Sequence, residues 1–290
     1  MRVIFSDPER RNLAGILCMS AGIFFLCLND AMAKSLTERY SPVQILFIRN
    51  IVALPFALAI TIRFAGRPAI LSKRPGVHLL RGALWILAAI LFFTSLKFLE
   101  LAEATALTFV APVFIIVLSA VFLREAAGFR VWLAVLTGFV GVLIIVRPGI
   151  GAFQPASLLP IATALVYAIL MISTRLLDPR ESVWTLALYL TATGAFLTGI
   201  LVPFVWVNPV AADLQLFFGV AVFGTIGFAM ITQAFRLAAA PLIAPLDYSA
   251  LIWATALGWI FWGELPDSLT YLGASLIVAS GIVIVLNRRA

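Results

Sequence analysis

"KFLELAEATAL", residues 97–107, gathers Lys97, Glu100 and Glu103 in a chain of which only 11% is charged. The flanking stretches, LLRGALWILAAILFFTSL before it and TFVAPVFIIVLSAVFL after it, are apolar and share one charge, Arg81. A charge at the centre of a membrane-spanning helix costs about 2.5–3.5 kcal/mol on insertion scales, so charges collect where the chain leaves the hydrocarbon. Residues 97–103 therefore read as the tight turn of a helical hairpin. Its two spans are expected to lie side by side and antiparallel.

The rest of the chain extends this pattern. With 290 residues and 63% hydrophobic content, it carries more apolar surface than one soluble core hides, so a lipid bilayer is its expected surrounding. A hydrocarbon layer of about 30 Å and a helical rise of about 1.5 Å per residue ask for roughly 20 apolar residues per crossing. Windows between charges and Pro, Gly or Asn breaks give ten spans: 13–33, 43–63, 78–97, 103–123, 130–147, 156–174, 184–205, 214–235, 241–262 and 268–286. The longest connection, 64–77, is a short basic stretch with no room for a soluble domain. Arg10 and Arg11 before an apolar run also fit a secretory signal, but no small-residue cleavage site follows and Asn29 and Asp30 end the run, so the first span is expected to stay.

Cys18 and Cys27 are nine positions apart, on opposite faces of one helix, and cannot pair with each other. With His78 the single histidine, neither a disulfide framework nor a metal cluster is expected, and no cofactor.

A net charge of +7 would suggest nucleic acid for a soluble chain; here it is read as orientation, because cytoplasmic loops accumulate Lys and Arg. With the N-terminus inside, Arg2, Arg10, Arg11, Arg63, Arg67, Lys73, Arg74, Arg81, Arg124, Arg130, Arg175, Arg180, Arg236, Arg288 and Arg289 share the cytoplasmic side. Only Lys34, Arg39, Lys97 and Arg147 lie on the other. Both termini are expected in the cytoplasm, and no nucleic-acid partner.

A shift of 139 residues sets "LKFLELAEATAL…SAVFLRE" beside "FRLAAAPLIAPL…GWIFWGE", with Lys97 on Arg236 and Glu125 on Glu264. A shift of 141 lays "AKSLTERYS" over "TRLLDPRES". The expected architecture is all-α: two repeats, 1–148 and 149–290, of five helices each. Because five is odd, the second repeat is inverted relative to the first, the layout of many secondary carriers.

These paired hairpins, the segment "APLDYSALIWATALGWIFWGELPDSLTYLGASLIVASGIVIV" at 244–285 and the repeat ends at Glu125 and Glu264 resemble the drug/metabolite transporter superfamily in its ten-helix, EamA-type form. The family pattern often has Gly-Glu at the repeat end; Gly263 fits it, whereas Arg124 stands in the first copy. "NDAMAKSL" at 29–36 and "RPGVHLLRG" at 74–82 resemble members that carry S-adenosylmethionine, and related branches export amino acids. The resemblance implies a multi-pass protein of the bacterial inner membrane; a monomer is one expectation for its assembly, which the sequence leaves open. Its solute is a small metabolite, with amino-acid export ahead of S-adenosylmethionine uptake or exchange.

Several residues stand out against this background. Asp30, near the outer end of span one, is expected either to cap a helix in interfacial water or to pair with Arg49 and gate the outer mouth. Asp247, after Pro241 and Pro245, is expected to face a cavity at a broken helix start. Trp85, Phe92, Phe109, Tyr167, Tyr248 and Trp253 fall on the spans that line the cavity in the family, and Asn29 and Gln233 could bind solute by hydrogen bonds. Pro112 could let span four bend. Ala134 with Gly138, and Gly224 with Gly227, read as close helix contacts. An intramembrane enzyme would need a nucleophile with its base or a metal motif, and neither HExxH nor GxSxG occurs. A channel would need a filter loop or ring of charges. If transport is proton-coupled, Asp30, Asp247 or Glu103 would carry the proton.

Overall fold

The computed structural model describes residues 8–287 except 73, 123–127, 148–153, 174–180 and 239–243. Among the described residues the chain is helical and contains no strand. Its helices are α1 (Pro8–Thr37), α2 (Pro42–Ala65), α3 (Pro75–Ser95), α4 (Leu101–Thr108), α5 (Ala111–Phe122), α6 (Phe129–Val146), α7 (Leu158–Ser173), α8 (Val183–Leu201), α9 (Leu214–Leu237), α10 (Ala250–Trp262) and α11 (Ser268–Asn287). Seven helical stretches are long and apolar enough to cross a membrane, and Trp132–Val146 and Ser268–Val283 are shorter apolar helices. The protein is therefore a multi-pass helical membrane protein.

Local chemistry sets the helix ends. The Ser41 hydroxyl accepts from the Val43 amide and Pro42 occupies the first turn of α2, while Gly66, at φ +83°, lets the chain turn away. Ser182 caps α8 by accepting from the Trp184 amide. Span four is divided: α4 ends at Thr108 and α5 starts at Ala111, so Pro112 sits in the first turn of α5 where its missing amide costs least. Pro245 and Asp247 lie in a 3₁₀ segment, Ala244–Ser249, ahead of α10; Pro241 lies outside the described residues.

The neighbours of each helix are as informative as its sequence. Helix α1 runs along α9, α2 along α8, α3 along α7 and α8, α6 along α11, and α4 against α10. The expectation that spans three and four lie side by side is corrected here. Residues 96–100 do form the turn, but α3 packs mainly on α7 and α8, while α4 turns towards α10 and α7. Lipid gives helices no hydrophobic drive to associate, so close approach depends on small residues and interhelical hydrogen bonds. At the α6–α11 crossing, Gly141 and Gly273 bring backbones together, such that a Cβ on either would stand 2.6 Å from the other's carbonyl oxygen. The Ser280 hydroxyl donates to the Ala134 carbonyl at 2.6 Å beside Gly138, and Gly227 meets Gly22 across α1 and α9.

Apolar packing divides the bundle along its length. Leu36, Tyr40, Leu46, Phe93, Leu96 and Leu101 fill the end where α1 and α3 finish, in a buried cluster that continues along α1 and α9 through Ile23, Met19, Ala234 and Ala238. A second cluster joins α5, α6, α7 and α11. The open volume lies towards the opposite end.

Candidate functional site

A cavity of about 450 Å³ lies among α1, α2, α3, α7, α8, α9 and the segment before α10. Its lining includes Arg49, Asn50, Thr61, Arg81, Trp85 and Tyr167 together with Trp184, Thr191, Gly224, Thr225 and Asp247. Every lining residue lies at the level of Arg49 or farther from Lys34, so the hollow extends from mid-bundle towards the end where α2 finishes and α3 begins.

Three charges give this hollow its character. Arg81 is 3% exposed; its Nη1 donates to the Leu170 carbonyl at 2.8 Å and to the Ser173 hydroxyl at 3.1 Å, which fixes the guanidinium to α7. Arg49 makes no hydrogen bond or ion pair among the described residues, and its charged neighbour is Asp30, which accepts from Asn29 Nδ2 at 2.8 Å. Asp247 likewise has no hydrogen bond or ion pair among the described residues. Protein surrounds it, yet its side chain is exposed to the cavity, in electrostatic reach of the Tyr167 hydroxyl. The rings of Trp85, Tyr167 and Trp184 add flat apolar wall to the same cavity.

The end beyond Arg49 is sealed by polar contacts between distant segments. Lys34 Nζ reaches both carboxylate oxygens of Glu264 at 2.5 Å and the Leu99 carbonyl at 3.1 Å, and stands 4.9 Å from the centre of the Trp262 ring. The Leu101 amide donates to Glu264, tying the opening hairpin into the same knot. Tyr40 donates to Asp213 at 2.8 Å, and the Gln44 amide pairs with both backbone groups of Val207. Arg147 and Asp267 form an ion pair. Its hydrogen bonds from Arg147 and Thr270 hold the Asp267 carboxyl down at about 2, whereas burial, reinforced by Glu264, holds Glu100 above the usual carboxylate range.

At the opposite end, His78 is 1% exposed and its Nε2 lies 2.6 Å from Glu181, whose other oxygen accepts from Ser72 at 2.5 Å. The Tyr189 ring stacks on the imidazole. The basic 64–77 connection is thereby fastened to α8.

Of the residues singled out in the sequence, Arg49, Trp85, Tyr167 and Asp247 line the cavity. Asn29 is buried behind Arg49, with Oδ1 unpartnered against Gly224. Phe92 packs against the sealed-end cluster, and Phe109 meets Tyr248 edge to face at 5.1 Å, outside the cavity wall. Trp253 sits edge-on to Phe24, and Gln233 is exposed on α9. No hydrogen bond or ion pair joins Asp30 to Arg49 among the described residues, and Pro112 is not part of the wall. The cavity also holds Asn50, Trp184, Thr191 and Thr225, which carry no signal in the sequence, and Arg81. By sequence Arg81 belongs to the cytoplasmic side; its place inside span 78–97 is the signal that it needs a buried partner.

This architecture defines a polytopic membrane protein built around a cavity with charged and aromatic lining. Residues 13–147 match the EamA-like transporter family. The chain is 26% identical over 288 residues to an S-adenosylmethionine uptake transporter of Rickettsia prowazekii, covering 98% of this chain and 96% of that one. It is 27% identical to the pseudopaline exporter CntI of Pseudomonas aeruginosa (93% and 95% covered) and 29% identical to a riboflavin transporter of Vibrio cholerae (92% and 91% covered). A solved crystal structure, 21% identical and covering 96% of this chain and 98% of its own, matches with a TM-score of 0.65 and shares the fold. The family and these relatives are small-molecule transporters, not enzymes.

Proposed function

We propose that the protein is a secondary carrier of a zwitterionic, ring-bearing metabolite, with S-adenosylmethionine as the leading solute. The observation that carries this reading is the mixed charge of one cavity: Arg49 and Arg81 for a carboxylate, Asp247 for a cationic group, and aromatic wall for a flat ring. Its volume of about 450 Å³ falls within the range of roughly 300–1,000 Å³ that holds drug-sized ligands. The S-adenosylmethionine uptake transporter among its relatives adds support, and an exporter and a riboflavin transporter at similar identity leave direction to measurement. Export of amino acids is the second reading, favoured by the same head-group chemistry around Arg49 and Asp247.

Alternating access between two inverted five-helix halves, 1–148 and 149–290, is the mechanism that suits this cavity. Exchanging the halves turns the α1–α9 contact into α7–α3 and the α2–α9 contact into α8–α3, while α2–α8, α6–α11 and α4–α10 map onto themselves; all of these contacts occur. With both termini in the cytoplasm, the sealed Lys34 end faces outward and the cavity faces inward. Bacterial relatives favour the inner membrane, and a cavity enclosed by one chain suits a monomer.

The test is uptake and counterflow in proteoliposomes with labelled S-adenosylmethionine, phenylalanine and threonine, with and without a pH gradient. Saturable exchange of S-adenosylmethionine supports the leading reading; movement of phenylalanine alone favours the second. Movement of none refutes both.

A further inference from the structure

We infer that Arg49 captures the carboxylate of the solute, exchanging its present electrostatic neighbour Asp30 for the incoming anion. The inference rests on the zwitterion reading above and assigns its poles.

A guanidinium has five N–H donors, and an unsatisfied charge away from water is costly. The two cavity arginines differ in this respect. Arg81 spends Nη1 on Leu170 and Ser173, so its charge is anchored to α7. Arg49 has no such partner among the described residues, and Asp30 is itself engaged by Asn29. Arg49 also belongs to the deepest level of the hollow, next to the sealed end.

The fold makes space for this guanidinium. A Cβ on Gly224 would lie 3.1 Å from Arg49 Nε and Nη2 and 2.7 Å from Asn29 Oδ1, so α9 presents bare backbone where the arginine rests. Asp247, also without a hydrogen bond or ion pair among the described residues, enters the cavity from the segment before α10 and takes the cationic end of the solute. A carboxylate at Arg49 and an ammonium or sulfonium at Asp247 would then satisfy both unpaired charges in one event.

Two solute pairs test this in proteoliposomes: S-adenosylmethionine against its decarboxylated form, and phenylalanine against phenethylamine. The wild type is expected to favour the carboxylate member of whichever pair it moves by tenfold or more, the size of a charged hydrogen bond worth about 1.5–3 kcal/mol. Arg49→Gln should lose that preference by slowing the carboxylate member while sparing the other. Arg49→Lys, which keeps the charge but loses the fork, should show a several-fold smaller preference and covers the case in which the glutamine variant fails to fold. An unchanged preference in either variant overturns the inference while the carrier reading stands. If wild-type vesicles move none of the four solutes, the zwitterion reading fails and the inference with it.

Discussion

Lys34 of α1 and Glu264, just past α10, meet at 2.5 Å, one ammonium serving both carboxylate oxygens. The pair joins the end of α1, the 97–100 turn and the end of α10, three segments far apart in the chain. Lys34 is 7% exposed, so separating the pair leaves a poorly solvated charge, and the contact is expected to act as a latch on this end. If opening on this side is part of the transport cycle, Lys34→Gln or Glu264→Gln should favour the open form. A single cysteine at Ala31, 2% exposed beneath the latch, should then react several-fold faster with a membrane-impermeant maleimide from the Lys34 side, in a background with Cys18 and Cys27 replaced by alanine. Unchanged labelling in both variants would show that the latch does not hold this end shut.

The α6–α11 crossing yields a stability prediction. Because a Cβ on Gly141 would come within 2.6 Å of a backbone carbonyl, Gly141→Ala forces the helices apart instead of filling a void. Overpacking of this kind costs about 1–3 kcal/mol, so the detergent-solubilised variant should unfold at lower temperature. Gly76→Ala, in the first turn of α3 where a Cβ would meet nothing within 4 Å, is the control and should not lower the transition.

Acid should act on the sealed end through two carboxyls of opposite sign. Asp267 is held at about 2 by Arg147 and Thr270, below its ordinary 3.8, so its stabilisation is present above the ordinary value and is lost as pH falls towards about 2. Glu100 is raised by burial and by Glu264, so its charged form is disfavoured in the folded state, and that penalty is relieved as pH falls through the raised value. Thermal unfolding against pH should therefore show Glu100→Gln more stable at neutral pH with a flatter approach to mild acidity. Asp267→Asn should alter only the more acidic limb, and modestly, since its side chain is 51% exposed.

The fold was far easier to read in the sequence than the site, for a physical reason. A hydrocarbon layer penalises every charge and sets every span length, so windows such as 43–63 and 214–235 fall within α2 and α9, and Lys97 and Glu100 fall at a turn, although Glu103 lies in the first turn of α4. Side-chain partnerships obey no such periodicity. By sequence Lys34 is one of four cations on the outer side; nothing local in the chain points to its burial against Glu264, 230 residues away. Phe92 and Tyr167 look alike as aromatic residues in apolar helices, and only helix rotation puts Tyr167 on the cavity and Phe92 on a packed cluster. The most legible site residues were those whose presence in a span needs compensation, Arg49 and Asp247. The same test applied to Arg81 would have found a third.

Gly224 and Gly227 lie on adjacent turns of α9 and separate the roles of space and packing. A methyl group on Gly224 would press on Asn29 Oδ1 at 2.7 Å and on the Arg49 guanidinium at 3.1 Å, both side-chain groups that can yield. Gly224→Ala should therefore fold, displace Arg49 and raise the KM for carboxylate-bearing solutes several-fold, with a smaller effect on their decarboxylated counterparts. A methyl group on Gly227 would meet the Gly22 carbonyl at 2.8 Å, backbone of α1 that cannot move alone. Gly227→Ala should lower thermal stability by about 1–3 kcal/mol without changing the ratio between the two solute classes. If both variants shift that ratio equally, the glycine shelf acts through general packing of α1 on α9 and not through the position of Arg49.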